Sequence, residues 1–175
     1  EVHIEGGDVM PWNDYIFIGT YTGIDYPDYI TARTNKEGVE YIRKMFPNKK
    51  VKSFELRKSI TNPRENALHL DCCFQPVGKN KAIIHKNGFL VKEEYEWLVA
   101  YFGKENIFEI YADEMYQMCC NVFSIAPDVV VSEKNFTRLN IWLREQGFTV
   151  EEIPYAEISK QGGLLRCSTM PLIRE

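Results

Sequence analysis

Residues 67–111 read ALHLDCCFQPVGKNKAIIHKNGFLVKEEYEWLVAYFGKENIFEIY, and this stretch decides the fold. Apolar and β-branched or aromatic runs on both sides of a Pro/Gly/Asn turn are typical of paired strands. The later apolar residues recur at i, i+3, i+4 and i+7, which indicates one buried face of a helix. The predicted elements, in order, are a strand at 67–75, a turn at 76–80, a strand at 82–85, a helix at 92–102 and a strand at 107–111.

The same strand–turn–strand–helix–strand order recurs on both sides of this stretch. The preceding copy has strands at 3–10 and 15–20, a helix at 36–46 and a strand at 51–56. The following copy has strands at 118–125 and 129–131, a helix at 133–146 and a strand at 148–153. Recurrence of one unit is stronger evidence than any single element. The chain is therefore predicted to be α/β, with ββαβ modules at roughly 1–60, 61–115 and 116–175; a generic α/β layer without symmetry is the alternative.

Composition narrows the class of protein. The 175 residues suit one domain, and 45% hydrophobic and 13% aromatic residues are enough for a core. A net charge of −4 without a block of like charge argues against nucleic acid or an anionic membrane as partner. No run approaches the ~18 apolar residues of a membrane helix. The chain opens on Glu1 and reads at once as a strand, so we expect a processed or truncated piece of something longer.

The five cysteines indicate a reducing compartment. Four of them form two adjacent pairs, Cys72-Cys73 and Cys119-Cys120, and the total is odd. Neither feature is typical of a disulfide framework, so a cytoplasmic location is predicted. A zinc site built from His69, Asp71 and these cysteines is an alternative. It is disfavoured because adjacent cysteines point to opposite faces of a strand and lack the usual spacer. No metal and no cofactor are predicted.

Three short stretches carry the chemistry. Cys167 follows two glycines in Gly162-Gly163-Leu164-Leu165-Arg166-Cys167-Ser168-Thr169, and the others are His69-Leu70-Asp71 and Glu5-Gly6-Gly7-Asp8. A thiol, an imidazole and carboxylates are the parts of a cysteine nucleophile with its acid/base and orienting group. Because residues i and i+2 of a strand share a face, His69 and Asp71 are predicted to point the same way. The alternatives are a buried apolar cysteine, a structural histidine and carboxylates that cap a turn.

Together, the ββαβ repeat and these motifs, with Cys167-Ser168-Thr169-Met170-Pro171-Leu172, resemble the guanidino-group-modifying superfamily. Its members include arginine deiminase, dimethylarginine dimethylaminohydrolase and the amidinotransferases. The resemblance implies an α/β propeller of five ββαβ modules, of which about three are present here. It also implies that Cys167 is the nucleophile, His69 the general acid/base and Glu5 the group that orients the imidazole. Asp71 would bind the guanidinium, and Arg33 would hold a substrate carboxylate.

Two further residues are candidates for substrate binding. Asp8 lies beside the glycines of the first motif, where the alternative is a turn cap. Asn121 precedes the apolar run 122–123, where the alternative is binding to the backbone of a neighbouring module. Members of the superfamily have two more modules on the N-terminal side, so the missing modules or a second chain are predicted partners. Some deiminases have an arginine where this chain has Gln161, which argues against free arginine as substrate.

The predicted activity is hydrolysis of a C–N bond in a guanidino or ureido compound through a covalent intermediate on Cys167. A guanidinium is planar and cationic, and carboxylates bind it through paired N–H donors. The same groups would serve an amidinotransferase, in which an amine replaces water as the acceptor. A third hypothesis, from a different class, is a non-catalytic module that binds a protein or small ligand, with the loop 21–29 as part of its surface.

Overall fold

A computed structural model describes residues 1–28 and 34–170 of the chain. Its described part contains three sheets of three strands, and all three sheets have the same topology. In each, an antiparallel hairpin precedes a helix, and the third strand then pairs in parallel with the second. The prediction of a mixed α/β fold is therefore confirmed. Closure into a propeller and the three module boundaries stay predictions.

The elements follow the predicted order. Sheet 1 contains β1 (Val9–Trp12), β2 (Tyr15–Thr20) and β3 (Lys50–Glu55), with α1 (Lys36–Met45) before β3. Sheet 2 contains β4 (Phe74–Val77), β5 (Lys81–Ile84) and β6 (Ile107–Glu109); α2 (Leu70–Cys73) precedes it and α3 (Lys92–Phe102) lies before β6. Sheet 3 contains β7 (Phe123–Ala126), β8 (Val129–Glu133) and β9 (Thr149–Ile153); α4 (Ala112–Tyr116) precedes it, α5 (Thr137–Glu145) lies before β9, and α6 (Ala156–Ser159) follows.

The central helix α3 has the predicted bounds, and α1 ends one residue before its prediction. The third helix, α5, begins four residues later than predicted because Glu133 ends β8 instead. That residue is fully buried, and its carboxylate accepts hydrogen bonds from the backbone N–H of Asn135 at 2.5 Å and of Tyr155 at 3.4 Å. Burial of a charged residue with these partners fixes Glu133 in the sheet.

The first strand of each unit is shorter than predicted, and this is the main correction to the fold. Residues 3–8, 67–73 and 118–121, predicted as strand, contain a 3₁₀ turn at Gly6–Asp8, helix α2 and a turn. At the third of these, Met118 has φ of 67°, a left-handed conformation that no strand accommodates. Apolar content and strand propensity favoured an extended conformation for these residues. In the structure each turn instead carries or directly precedes a buried polar residue, Asp8, Asp71 or Asn121, that forms hydrogen bonds with a distant part of the chain.

The core packs sheet 1 against sheet 2 through aromatic side chains. Phe17 of β2 is fully buried, and its ring centroid lies 5.7 Å from that of Phe74 in β4 and 6.1 Å from that of Trp97 in α3. On the other face of β2, Ile16 and Ile18 pack against α1 in a separate cluster. The alternation along β2 thus places one sheet between two apolar layers. Within the described ranges, no helix is both long and apolar enough to cross a membrane.

Candidate active site

The segment that carries Cys167 is a series of turns after α6. The Ser168 N–H donates to the Leu164 carbonyl at 3.1 Å, and the Ser168 hydroxyl donates to the same oxygen at 2.6 Å. Gly163 allows the segment to fold back, because a Cβ on it would lie 2.7 Å from the Cβ of Cys167. Cys167 is exposed, whereas the other four cysteines are buried. The nucleophile predicted from the sequence is thus the accessible thiol.

Asn121 binds the segment that carries Cys167 through hydrogen bonds of both its side chain and its backbone. Its side-chain oxygen accepts hydrogen bonds from the backbone N–H groups of Leu164 at 3.1 Å and Cys167 at 3.2 Å. Its side-chain nitrogen donates to the Cys167 sulfur at 3.2 Å, and its own carbonyl accepts from the Arg166 N–H at 3.2 Å. The residue is fully buried. Asn121 thus binds backbone, but that of residues 164–167 in its own predicted module and not that of a neighbouring module; its direct contact with a substrate stays a prediction.

Asp71 places a buried carboxylate beside the thiol. One of its oxygens, Oδ2, accepts a hydrogen bond from the Arg166 guanidinium at 2.5 Å and lies 3.4 Å from the Cys167 sulfur. The carboxylate is fully buried, and the Arg166 side chain is about a quarter exposed. A second guanidinium nitrogen of Arg166 donates to the Val9 carbonyl at 3.1 Å. Asp71 therefore binds a guanidinium group within reach of the thiol, and here that group belongs to the chain itself.

His69 lies at the N-cap of α2 and not in a strand. The expectation that His69 and Asp71 share a strand face is therefore wrong, because His69 is the extended N-cap residue and Asp71 lies in the first turn of the helix. The His69 ring packs on the backbone of Gly7, where an added Cβ would lie 2.6 Å from Nδ1. The other ring nitrogen, Nε2, is buried and has no hydrogen-bond partner among the described residues. An imidazole with one uncommitted nitrogen remains available for proton transfer.

Asp8 fastens the first motif to α2. One carboxylate oxygen accepts from the Leu70 N–H at 2.9 Å, and the other accepts from the Thr34 hydroxyl at 2.6 Å. Burial raises the pKa of Asp8, and the Thr34 hydrogen bond together with the charges of His69 and Lys58 partly offsets that rise. Both oxygens are thus engaged by residues far along the chain, and the side chain does not cap its own turn. Substrate binding by Asp8 stays a prediction.

Glu5 is exposed and contributes through its backbone. Its N–H donates to the Thr34 hydroxyl at 3.0 Å, and its carbonyl accepts from the Asp8 N–H at 3.1 Å. Within residues 1–28 and 34–170, its carboxylate forms no hydrogen bond or ion pair, so its orientation of the imidazole stays a prediction. Arg33, predicted to hold a substrate carboxylate, lies outside the described residues.

The three predicted motifs converge. Gly7 contacts His69, Asp8 binds Leu70, and Asp71 contacts Cys167, while Arg166 reaches back to Val9. Cys167 is separated from the other motifs by about a hundred residues or more, and only the arrangement of the sheets brings them together. In the described part of the chain, no group of three or more His, Cys, Asp and Glu residues has an arrangement that suits a metal ion.

The pKa of Cys167 is raised, although groups of opposing effect surround its sulfur. Partial burial and the Asp71 carboxylate raise the pKa of Cys167, whereas hydrogen bonds from Asn121 and from the Leu164 backbone lower it. Burial raises the pKa of the other four cysteines well above the ordinary value. The net effect raises the pKa of Cys167 as well, so formation of its thiolate needs a further stabilising group beside the sulfur.

Sequence reasoning gave no role to Arg166 or Lys58. Arg166 stands next to Cys167 in the motif, and its affinity for a carboxylate was the available signal. Lys58 donates to the carbonyls of Ala67 at 2.8 Å and Leu68 at 2.6 Å, which fixes the chain immediately before His69. Burial lowers the pKa of Lys58, and Asp8 is the main group that counteracts it. No local pattern around Lys58 predicts these contacts, since they depend on the tertiary fold.

Two proteins of known sequence resemble the whole chain. The Bacillus subtilis protein YkgA is 28% identical over 174 residues, which are 99% of this chain and 54% of YkgA. The arginine deiminase of Pediococcus pentosaceus is 28% identical over 208 residues, which cover 99% of this chain and 48% of the deiminase. The chain therefore spans about half the length of these relatives.

Two solved structures share the fold. The N-terminal domain of ArgZ, an arginine dihydrolase from cyanobacteria, superposes with a TM-score of 0.78 at 22% identity, covering 97% of this chain and 56% of that one. SxtG, an amidinotransferase from Microseira wollei, gives a TM-score of 0.74 at 16% identity, covering 99% of this chain and 48% of that one. At such identities the likeness shows the fold alone.

A family model covers most of the chain. The model described as eukaryotic N,N dimethylarginine dimethylhydrolase matches residues 29–174, a range that contains His69, Asp71, Asn121 and Cys167. The fold shared with ArgZ and SxtG agrees with that assignment. The chain thus belongs to the N,N dimethylarginine dimethylhydrolase family, within the guanidino-group-modifying superfamily.

Proposed function

We propose that the protein hydrolyses a C–N bond of a guanidino or ureido compound through a covalent intermediate on Cys167. One observation carries the proposal: a single oxygen, Asp71 Oδ2, contacts a guanidinium nitrogen at 2.5 Å and the Cys167 sulfur at 3.4 Å. A substrate guanidinium in place of that of Arg166 would present its central carbon close to the sulfur. Proximity of this kind is a large part of enzymatic rate enhancement.

The proposed reaction has two steps. The thiolate of Cys167 attacks the central carbon, a C–S bond forms, and the carbon becomes tetrahedral. His69 then donates its proton to the departing amine as the C–N bond breaks, which leaves an amidino-thio adduct on the sulfur. Water, deprotonated by His69, attacks the adduct, the C–S bond breaks, and the thiolate is regenerated. Nε2 of His69, which has no hydrogen-bond partner in the described part of the chain, supports its role in both transfers.

The remaining site residues have proposed roles that accompany this mechanism. Glu5 orients the imidazole of His69. Asp8 and Asn121 bind the substrate, and Arg33 holds a carboxylate on it. Arginine and N,N-dimethylarginine are the first substrates to test, because the relatives and the family carry these names. All five cysteines are free thiols, which supports a reducing, cytoplasmic setting.

We also propose that residues beyond this chain complete the site. The chain spans about half the length of its relatives, and the predicted five-module propeller requires further modules or a second chain. Amidino transfer uses the same first step and differs only in the acceptor.

The test measures turnover by the whole protein. Arginine and N,N-dimethylarginine are supplied with and without glycine as an amine acceptor, and ureido product, urea, ammonia and dimethylamine are measured. Cys167→Ser is expected to lower turnover at least a thousandfold (about 4 kcal/mol in the barrier) because serine lacks the thiolate. Cys119→Ala, at a buried thiol whose charged neighbours are Glu114 and Arg138, is the matched control.

The outcomes separate the hypotheses. Formation of a ureido product or urea without glycine supports hydrolysis, and product only with glycine supports amidino transfer. Retention of activity in Cys167→Ser excludes the mechanism. Binding of a guanidino compound by the wild-type protein without any consumption supports the non-catalytic module instead.

A further inference from the structure

Asn121 is the residue that touches both the reacting sulfur and the backbone around it. Its amide oxygen accepts from two N–H groups of the segment, those of Leu164 and Cys167, and its amide nitrogen donates to the sulfur at 3.2 Å. The sequence pattern predicted contact with a substrate or with backbone, and neither alternative included the thiol. We infer that Asn121 is a catalytic residue whose amide N–H stabilises the Cys167 thiolate and whose amide oxygen fixes the turn that presents it.

The burial of Asn121 makes these contacts obligatory. The residue is fully buried, so its amide has no water to replace a lost partner. An unsatisfied buried polar group is strongly unfavourable, which restricts the amide to the orientation with its oxygen toward the two N–H groups. That orientation directs the nitrogen to the sulfur. The assignment of oxygen and nitrogen thus follows from the donors around them, and the geometry commits Asn121 to donate to Cys167.

The charges around the sulfur show why such a donor is needed. Asp71 lies 3.4 Å from the sulfur, and the buried thiol of Cys72 is also close enough to interact electrostatically. The Arg166 guanidinium pairs with the Asp71 carboxylate at 2.5 Å, and the pKa of Cys167 is raised despite this ion pair. A carboxylate beside a thiol disfavours the thiolate, whereas a hydrogen bond to the anion favours it and strengthens as the charge develops. Asn121 supplies that bond without adding a charge.

Asn121→Asp separates the two functions of the amide. Aspartate has nearly the same shape, and its oxygen still accepts from the N–H groups of Leu164 and Cys167, so the turn is retained. The donor to the sulfur is replaced by a second carboxylate, which disfavours the thiolate. We expect the pKa of Cys167 to rise by at least one unit, and the rate of its alkylation by iodoacetamide at pH 7 to fall about tenfold or more.

Asn140→Asp is the matched control. Asn140, in α5, is also buried, and its amide nitrogen donates to the carbonyl of Glu133 at the end of β8 at 3.0 Å. Alkylation of Cys167 is followed against pH by mass spectrometry in the whole protein, with Cys167→Ser as the blank for the other thiols. An unchanged pKa in Asn121→Asp, or an equal rise in Asn140→Asp, overturns the inference.

A measurement on the wild-type protein covers the case in which Asn121→Asp does not fold. The side-chain amide protons of Asn121 are followed by NMR through the pH range in which Cys167 titrates. We expect a downfield shift with the midpoint of the thiol, absent in Cys167→Ser; an amide resonance that does not respond overturns the inference. This role rests on the proposed function, but neither experiment uses a guanidino substrate. Failure of the substrate assay and failure of this inference are therefore distinguishable.

Discussion

At the scale of single residues, the site depends on one carboxylate oxygen that serves two neighbours. Asp71 Oδ2 accepts from the Arg166 guanidinium and lies against the Cys167 sulfur. The same contact that binds a cationic planar group also opposes ionisation of the thiol. The free protein consequently holds its nucleophile mainly as the thiol, and binding of a second cation beside Asp71 would shift it toward the reactive anion.

This balance predicts the effect of Asp71→Asn. Burial and Asp71 raise the pKa of Cys167, so removal of the carboxylate charge lowers that pKa. We expect the pH midpoint of alkylation by iodoacetamide to fall and the alkylation rate below the midpoint to increase. Turnover of a guanidino substrate is expected to fall at least a hundredfold, since the guanidinium loses its charged partner. Alkylation and turnover would therefore change in opposite directions.

Asp113→Asn is the control for that experiment. Asp113 also pairs with an arginine, Arg64, but on the exposed surface. The Asp113→Asn variant is expected to leave both the pH midpoint of Cys167 alkylation and the turnover of a guanidino substrate unchanged. A midpoint that rises in Asp71→Asn would contradict the assigned effect of the carboxylate on the thiol.

At this scale the sequence pointed to candidate residues that the structure brings close together, but it missed their local partners; the catalytic roles of the candidates stay predictions. Cys167, His69 and Asp71 stand in short motifs whose residue types indicate the chemistry. The thiol contact of Asn121 and the ion pair of Arg166 join residues 46 and 95 positions from their partners. Such contacts follow from how the sheets are placed, which no local pattern encodes.

At the scale of elements, the site is built from turns that precede the first strand of each sheet. Asp8 ends the turn before β1, Asp71 lies in α2 before β4, and Asn121 follows the turn before β7. All three are buried. Each turn thus contributes one buried polar side chain to the same region, and two of them, Asp8 and Asn121, accept backbone N–H groups from a segment later in the chain.

The close approach of two such turns predicts the effect of Gly7→Ala. A Cβ on Gly7 would lie 2.6 Å from Nδ1 and 2.7 Å from Cγ of His69, so the imidazole must move. A displacement of about 1 Å in a catalytic group lowers the rate on the order of a hundredfold. We expect kcat/KM to fall by that factor while alkylation of Cys167 is unchanged.

Gly6→Ala provides the neighbouring control, because a Cβ there meets no atom within 4 Å. Activity close to that of the wild type is expected for this variant. Equal losses in Gly6→Ala and Gly7→Ala would mean that the turn as a whole, and not its contact with His69, determines activity.

The long helices α1 and α3 were the elements best predicted from the sequence, whereas the short helices α2, α4 and α6 were not predicted. The bounds of α3 follow from its periodic apolar face and from Gly103, which has φ of 82° where the helix ends. By contrast, α2 has only four residues, all buried, so it has no polar face to reveal a helical period. Its conformation depends on the bond between Leu70 and Asp8, which lie 62 positions apart.

At the scale of the whole molecule, the aromatic layer between sheets 1 and 2 holds the site segments in register. Phe17 is fully buried and contacts the rings of Phe54, Phe74, Trp97 and Tyr101. We expect Phe17→Ala to lower the free energy of unfolding by about 3–5 kcal/mol, because it opens a cavity in this layer. Urea unfolding followed by circular dichroism measures the change.

Phe46→Ala is the matched substitution at a half-exposed ring. It is expected to change the free energy of unfolding by less than about 1 kcal/mol. A loss for Phe17→Ala no larger than that for Phe46→Ala would mean that the contact between sheets 1 and 2 contributes little to stability.

The positions of the three tryptophans have a further consequence. Trp12 of β1 packs on Phe102 of α3, Trp97 of α3 packs on Phe17 of β2, and Trp142 of α5 packs on Phe108 of β6. Every indole therefore spans a boundary between two sheets. The fluorescence of these three tryptophans therefore reports on the contacts between neighbouring sheets. Separation of two sheets exposes an indole to solvent and shifts its emission to longer wavelength. Local unfolding within one sheet is expected to leave the emission nearly unchanged.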